Sequence, residues 1–207
     1  MTDHILVGGG ALAREIHDWF RPSLALAGHR FVGYLDDTDQ PMHGTGHDLP
    51  QLGPITGHRP GAASLVLAIA DPPAKAQITQ DLLAAGGVFA TLLHPTAWIS
   101  ASATIGHGTV VSVFADVSAN ATLGRFSMLN GYASVGHDTV LGECSTLSGY
   151  VDLTGAVTVG RQCFFGSGAR VLPKLVIGDR CMIGAGAVVV RSVPDDVTLY
   201  AAPARRL

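Results

Sequence analysis

Between residues 99 and 189 every sixth position is apolar, without a slip of phase: Ile99, Ile105, Val111, Val117, Leu123, Leu129, Val135, Leu141, Leu147, Leu153, Val159, Phe165, Val171, Ile177, Ile183 and Val189. In a chain that is 47% apolar, such a run arises by chance about once in 10⁵ trials. The residue two before each is usually small, as at Ala103, Thr109, Ala115, Ala121, Ser127, Ala133, Thr139 and Ser145, and the one after is often glycine. This is the pattern of a parallel β-helix. Each hexad supplies a short strand, one large inward side chain and one tight corner. Three faces close a triangular coil of about 18 residues, so residues that far apart stack at about 4.8 Å.

The first 94 residues follow another grammar. HILV (4–7), Gly8-Gly9-Gly10 and a helical ALAREIHDWF are followed by FVGYL (31–35) and Asp36-Asp37. A Gly/Pro/His-rich loop spans about 38–61, then come SLVLAIA (64–70) and a helical AKAQITQDLLAAG. The β-α-β…β-α order predicts a small parallel sheet of Rossmann type. His94-Pro95 is expected to mark the boundary, because the residue before proline avoids helical backbone. The expected organisation is an α/β Rossmann-like domain over 1–94 and an all-β helix with a C-terminal tail over 95–207. Gly8-x-Gly10-x-x-Ala13 with Asp36 downstream also fits the dinucleotide fingerprint. The segment is too short for two mononucleotide halves, so one nucleotide with its phosphates at the helix N-terminus is the expectation.

With a formal net charge of −3, the chain offers no global attraction to nucleic acid or to an anionic membrane. No stretch is long and apolar enough to span a bilayer, and the N-terminus lacks the pattern of a signal peptide. A cytoplasmic location is expected. Cys144, Cys163 and Cys181 form no CxxC pair, the nine histidines show no metal-ligand spacing, and no metal is expected. Cys163 and Cys181 share the small inward position and should stack as free thiols.

LLHPTAWISASATIGHGTVV, LNGYASVGHDTVLGECSTLSGYVDLTGAVTVG and VPDDVTLYAAPARRL, with GGGALAREI and FVGYLDD before them, resemble the bacterial hexapeptide-repeat sugar acetyltransferases of the bacillosamine/sialic-acid type. The resemblance implies a left-handed β-helix behind a nucleotide-sugar-binding domain and a homotrimer with the acyl site between neighbouring helices. Its implied reaction is acetyl transfer from acetyl-CoA to a nucleotide-linked amino sugar of the UDP-4-amino type. It assigns His137 as general base, Asp138 as its acidic neighbour and Asn130 as a further catalytic position. Gly155, Thr146 and Ala185 would meet acetyl-CoA, while Gly8, Gly10, Asp36 and Asp37 would meet the nucleotide sugar. Three positions depart from the family pattern. Leu12 replaces the histidine of the glycine turn, Thr146 replaces a second histidine nine residues after the base, and Ala201 stands at the glycine of the C-terminal glycine-x-proline-alanine.

Thioester acyl transfer requires removal of a proton from the acceptor, stabilisation of the oxyanion and alignment of the reactants. Histidine suits the first task near neutral pH. His137 follows inward Val135 by two positions, so it falls at a corner, stacked between Ala119 and Gly155. Two near-absent neighbours predict a notch fit for a pantetheine arm. Asp138 is open to two readings, orienting the imidazole or bonding Asn120 one coil back. Rival functions are a sugar O-acetyltransferase, a non-catalytic solenoid scaffold, and a nucleotide-sugar dehydrogenase or isomerase built on the glycine turn.

Overall fold

The computed structural model describes residues 2–39, 41–47 and 49–202. Pro203 and Ala204 of the C-terminal motif lie outside them. The front part is a four-stranded parallel sheet in the order β3-β2-β1-β4, with β1 Thr2–Val7, β2 His29–Leu35, β3 Gln51–Gly53 and β4 Ser64–Leu67. Helix α1 (Ala11–Leu26) buries Ala13, Ile16, His17, Phe20 and Leu24, the spacing of one helical stripe. Helix α2 (Pro72–Ala84) starts with Pro at its first turn and Asp71 as N-cap, whose Oδ2 accepts from the Ala74 amide at 3.0 Å. Strand β3 falls inside the stretch read from sequence as loop. At three residues it is too short to show alternation.

The rest is a left-handed parallel β-solenoid. Its three faces contain seven, six and five strands of two residues each. Face I runs from Leu92–Leu93 through Met128–Leu129 and Thr146–Leu147 to Thr198–Leu199, face II from Trp98–Ile99 to Val188–Val189, and face III from Thr104–Ile105 to Val176–Ile177. The register between coils is constant: Val111 pairs with Leu129, Val135 with Leu153 and Leu141 with Val159, one coil apart each time. The inward series forms one core column with the small residues beside it. Where those are hydroxyls the buried oxygen is bonded, as with Thr139 Oγ1 to the Thr154 carbonyl at 2.7 Å and Ser145 Oγ to that of Gly160 at 3.1 Å. Cys163 and Cys181 are buried free thiols in the same column.

From Gly108 to Gly186 each corner turns through one residue of positive φ, three after the inward apolar one. The series from Phe114 (55°) and Asn120 (59°) to Lys174 (63°) and Arg180 (55°) is mostly not glycine. Left-handed backbone costs an ordinary residue roughly 1–2 kcal/mol. Here each such amide donates to the preceding coil: those of Phe114 and Asn120 to the hydroxyls of Thr96 and Ser102, and later ones to carbonyls, for example Asp138 N to Ala119 O at 2.9 Å and Ala156 N to His137 O at 2.7 Å. A typical bond of this kind contributes about 1 kcal/mol, so the ladder between coils offsets much of the strain.

The solenoid begins earlier than the sequence implies. Leu92–Leu93 already pairs with Val110–Val111, so the first coil starts before His94-Pro95. The front part also packs directly on face I. Leu6, Ile16 and Phe20 share a cluster with Leu92, Val110 and Met128, and Leu67 and Phe89 share another with Phe126 and Cys144. Met128, at an outward position of face I, is therefore buried. Lys75, fully buried on α2, donates from Nζ to the carbonyls of Phe126 (3.2 Å) and Ser145 (3.1 Å).

Burial lowers the Lys75 amine from 10.5 to about 7. Between those values the unfolded chain binds a proton that the folded chain does not, so stability rises with pH. Burial also pushes the Cys163 thiol from 9.0 up to about 12. There the folded state keeps a proton the unfolded state loses, so this group opposes the rise from pH 9 and lowers stability above 10.5. Urea unfolding at constant ionic strength should thus show stability climbing by roughly 2–3 kcal/mol from about pH 7 to 9, levelling while the two groups oppose each other, and falling once Lys75 has titrated in the unfolded chain near its ordinary 10.5. Lys75→Met should flatten the rise while keeping the fall. An equally steep rise in that variant would exclude Lys75 as its source.

Candidate active site

His137 stands on the edge between faces II and III, between strands Ser134–Val135 and Val140–Leu141. Its backbone is held from both sides, through its carbonyl bonded to Ala156 N and through the Asp138 amide bonded to Ala119 O. The imidazole is two-thirds exposed, and its Nδ1 lies 2.8 Å from Asp138 Oδ2. A carboxylate only accepts, so Nδ1 donates and Nε2 keeps the basic lone pair. The other Asp138 oxygen accepts from Asn120 Nδ2 at 3.0 Å, and the Asn120 amide donates to Ser102 Oγ at 3.0 Å. Both sequence readings of Asp138 are realised at once. The hydrogen bonds from His137 and then Asn120 hold its carboxyl below the usual range.

The notch expected above His137 is not empty space. A Cβ added at Gly155 would fall inside the imidazole, against Nε2, Cε1 and Cδ2. The glycine therefore seats the ring of His137 itself, one coil on, with Nε2 the ring atom nearest to it.

A model of the bacterial transferase hexapeptide (six repeats) matches residues 156–191. No curated protein sequence matches the chain. Among solved structures it is similar to the acetyltransferase domain of PglB from Neisseria gonorrhoeae in complex with acetyl coenzyme A, at 29% identity over 99% of this chain and 98% of that one, TM-score 0.86. PerB from Caulobacter crescentus, in complex with CoA and GDP-perosamine, is 29% identical over 99% and 97% of the two chains, TM-score 0.85. WeeI from Acinetobacter baumannii shares the fold at 24% identity, with both chains fully covered and a TM-score of 0.83.

The chain is an acyltransferase that carries the hexapeptide repeat.

The acyltransferase does not bring all of the expected site residues together within one chain. Asn130 and Ala185 lie on the edge between faces I and II, away from that of His137. Asn130 Oδ1 accepts from the Gly131 amide at 2.7 Å, whereas Ala185 is exposed. Thr146 corrects the sequence reading. It is on face I, 2% exposed, and its Oγ1 donates to the Ala70 carbonyl at 2.7 Å. It fastens the front part to the solenoid and is closed to a ligand. The hexad spacing placed these residues on the coil correctly, but it carried no sign that the front part covers face I.

In the front part Gly8 has φ +104°, and a Cβ there would meet Ile69 Cδ1 at 2.7 Å and the Ala68 carbonyl at 2.9 Å. Both the turn and the approach of the chain after β4 therefore require glycine. Asp36 and Asp37 are both held by the chain's own donors. Asp36 Oδ2 accepts from the Gly9 amide at 2.7 Å, and Oδ1 from Thr38 N and Oγ1 at 2.8 and 2.6 Å. Burial works against its charge, but these bonds prevail and keep the carboxyl below its ordinary value. Asp37 accepts from Thr56 N and Oγ1 at 2.9 and 3.0 Å. Both carboxylates brace the loops around the turn, beside a cleft lined also by Gln51 and Pro54. Gly10 is the N-cap of α1, without a side-chain cap, and the first amide bonded within the helix is that of Ala13.

Of the basic residues on later coils, Arg161 pairs with Asp179 and Arg180 with Asp196. No helix among the described residues is long and apolar enough to cross a membrane.

Proposed function

We propose that the chain transfers an acetyl group from acetyl-CoA to the amino group of a nucleotide-linked amino sugar, with His137 as general base. The observation that carries this is the His137–Asp138 pair seated over Gly155, with the imidazole two-thirds exposed at the solenoid edge. Its context is a fold shared along the whole chain with proteins holding acetyl-CoA, or CoA with GDP-perosamine. Nε2 accepts the proton as the amine nitrogen attacks the thioester carbonyl. The C–N bond forms, the C–S bond breaks, and the proton passes to the departing thiolate. Asp138 fixes the ring's tautomer and stabilises its charged form.

The parallel order β3-β2-β1-β4 supports reading the front sheet as Rossmann-type; the turn after β1 then lies at the switch point between β2 and β4, where such sheets bind nucleotides. The uncapped amides at the start of α1 suit the diphosphate, with Gly8, Gly10 and the loops braced by Asp36 and Asp37 forming the wall. The sequence resemblance points to UDP, and the solved relative PerB holds a GDP sugar, so the base is left to the assay. Thiol release from acetyl-CoA is expected with one of a panel of UDP-, dTDP- and GDP-linked amino sugars. Release only with sialic acid would establish an O-acetyltransferase instead, and release with none a scaffold.

The working form is a homotrimer, with the His137 edge of one copy against the I/II edge of the next, where Asn130 and Ala185 reside. That edge carries a stacked ladder of Phe114, Tyr132 and Tyr150, with ring centroids 5.1 and 4.8 Å apart, about half exposed or more at 52%, 49% and 65%. Such aromatic surface is costly to leave in water. Light scattering at micromolar concentration should give three times the chain mass. A monomer would exclude this arrangement.

A further inference from the structure

His17 and Asp18 end the second turn of α1, and His47 comes from the loop before β3, some thirty residues later. We propose that these three side chains form a binding site for a divalent transition-metal ion of the zinc type, stapling that loop to α1.

The ligand atoms of His17, Asp18 and His47 all lie within 4.8 Å of one another. Asp18 Oδ2 is 3.1 Å from His47 Nε2, and Asp18 Oδ1 is 3.5 Å from His17 Nδ1. The two imidazoles are set edge to face, with centroids 5.7 Å apart. Two observations point to a cation between them. First, the His17 side chain is nine-tenths buried, and its Nδ1 has no hydrogen-bond partner. Leaving such a group unsatisfied is costly, and a metal bond satisfies it. Second, the proton on His47 is accounted for elsewhere. Thr45 Oγ1 donates its one hydrogen to the Met42 carbonyl at 2.7 Å, so toward His47 Nδ1 it can only accept, as does the Thr45 carbonyl, both at 3.2 Å. Nδ1 therefore carries the hydrogen, and in the neutral ring Nε2 presents a lone pair to a carboxylate. Two electron-rich atoms at 3.1 Å require a positive charge, either a second proton on the ring or a metal. The Nδ1–H···O=C bond is also the usual outer-shell support of a metal-bound histidine.

Two imidazole nitrogens and one carboxylate oxygen are a zinc donor set, and water can complete four-coordination. Asp18 supplies the countercharge. Arg21, on the same helix, opposes it, as its effect on His17 shows. His47 also lines an open depression with Tyr34, Met42 and His43, adjoining the Asp36–Asp37 cleft through Gln51. A metal here would fix the loop that walls that cleft. The ligands come from one helix and one loop, which is why no ligand spacing showed in the sequence.

The test uses tag-free, chelator-stripped full-length protein titrated with Zn²⁺ alone by calorimetry, and with Co²⁺ followed by its visible absorption. One ion per chain is expected, with d–d bands of a four-coordinate nitrogen/oxygen site and a melting temperature that rises with free zinc. His47→Ala and Asp18→Asn, both on partly exposed side chains, should keep the metal-free melting temperature. They should weaken binding at least about a hundredfold and tenfold respectively, with the Co²⁺ bands lost in the former. His43→Ala should change nothing. Absence of stoichiometric binding, or affinity and bands that survive His47→Ala within about threefold, would overturn the site. If His47→Ala fails to fold, the same limits applied to Asp18→Asn decide the matter.

Discussion

Replacing His137 by alanine should lower kcat about 10²–10⁴-fold with KM for both substrates within about threefold of wild type. The expectation follows from what the imidazole touches. Its ring is exposed, it rests on a glycine, and its single polar bond is to Asp138, which keeps its second partner in Asn120. Removing it therefore withdraws the proton acceptor without opening a cavity in the core column, and the melting temperature should move little. Steady-state kinetics and a thermal melt on one preparation check both halves. Activity within about threefold of wild type would remove His137 as the base, although thiol release by the wild-type chain would still establish the reaction.

Gly155→Val should reduce kcat by at least about 10²-fold, the usual consequence of misplacing a catalytic group by an ångström or so. The added Cβ would occupy the imidazole's own position, so the ring must swing out from the edge. The backbone tolerates the change, because Gly155 is not among the residues of positive φ that turn the corners, and the folded state should persist. A diagnostic follows from coupling. If the valine acts through the ring, it should add nothing to kcat in the His137→Ala background, where the site beneath is vacated. A further fall in kcat/KM for acetyl-CoA in the double variant would show instead that Gly155 meets the acyl donor directly. A single Gly155→Val variant with normal kcat would mean that the ring does not need its seat.

What the sequence determined alone is the solenoid and its register. One apolar residue in six must be buried on a coil whose faces repeat at that length, so Val135, Leu153 and Val171 had to stack and His137 had to occupy a corner beside Gly155. Hydrophobic burial is local and periodic here, and a periodic cause leaves a periodic trace. The helices and three of the four front strands were legible for the same reason, through α1's stripe and the apolar runs of β1, β2 and β4.

The tertiary structure alone decided what covers what. Thr146 and Met128 sit at hexad positions like any other, yet the front part buries both, because α1 and the front sheet pack on face I at Met128 and the chain at Ala70 covers Thr146. The bonds of Asp36 and Asp37 to Gly9, Thr38 and Thr56 exist only because the fold brings those groups within reach. The turning residue of each corner is Phe, Tyr, Asn, Gln or Arg as readily as glycine, since its strain is offset by a bond to the previous coil that no local sequence encodes. His17 and His47 meet only because β2 and the loop after it return the chain to α1. Spacing along the chain reports forces that act within one repeat. It is silent about polar groups satisfied across the fold, and there the positions of the carboxylates and histidines were settled.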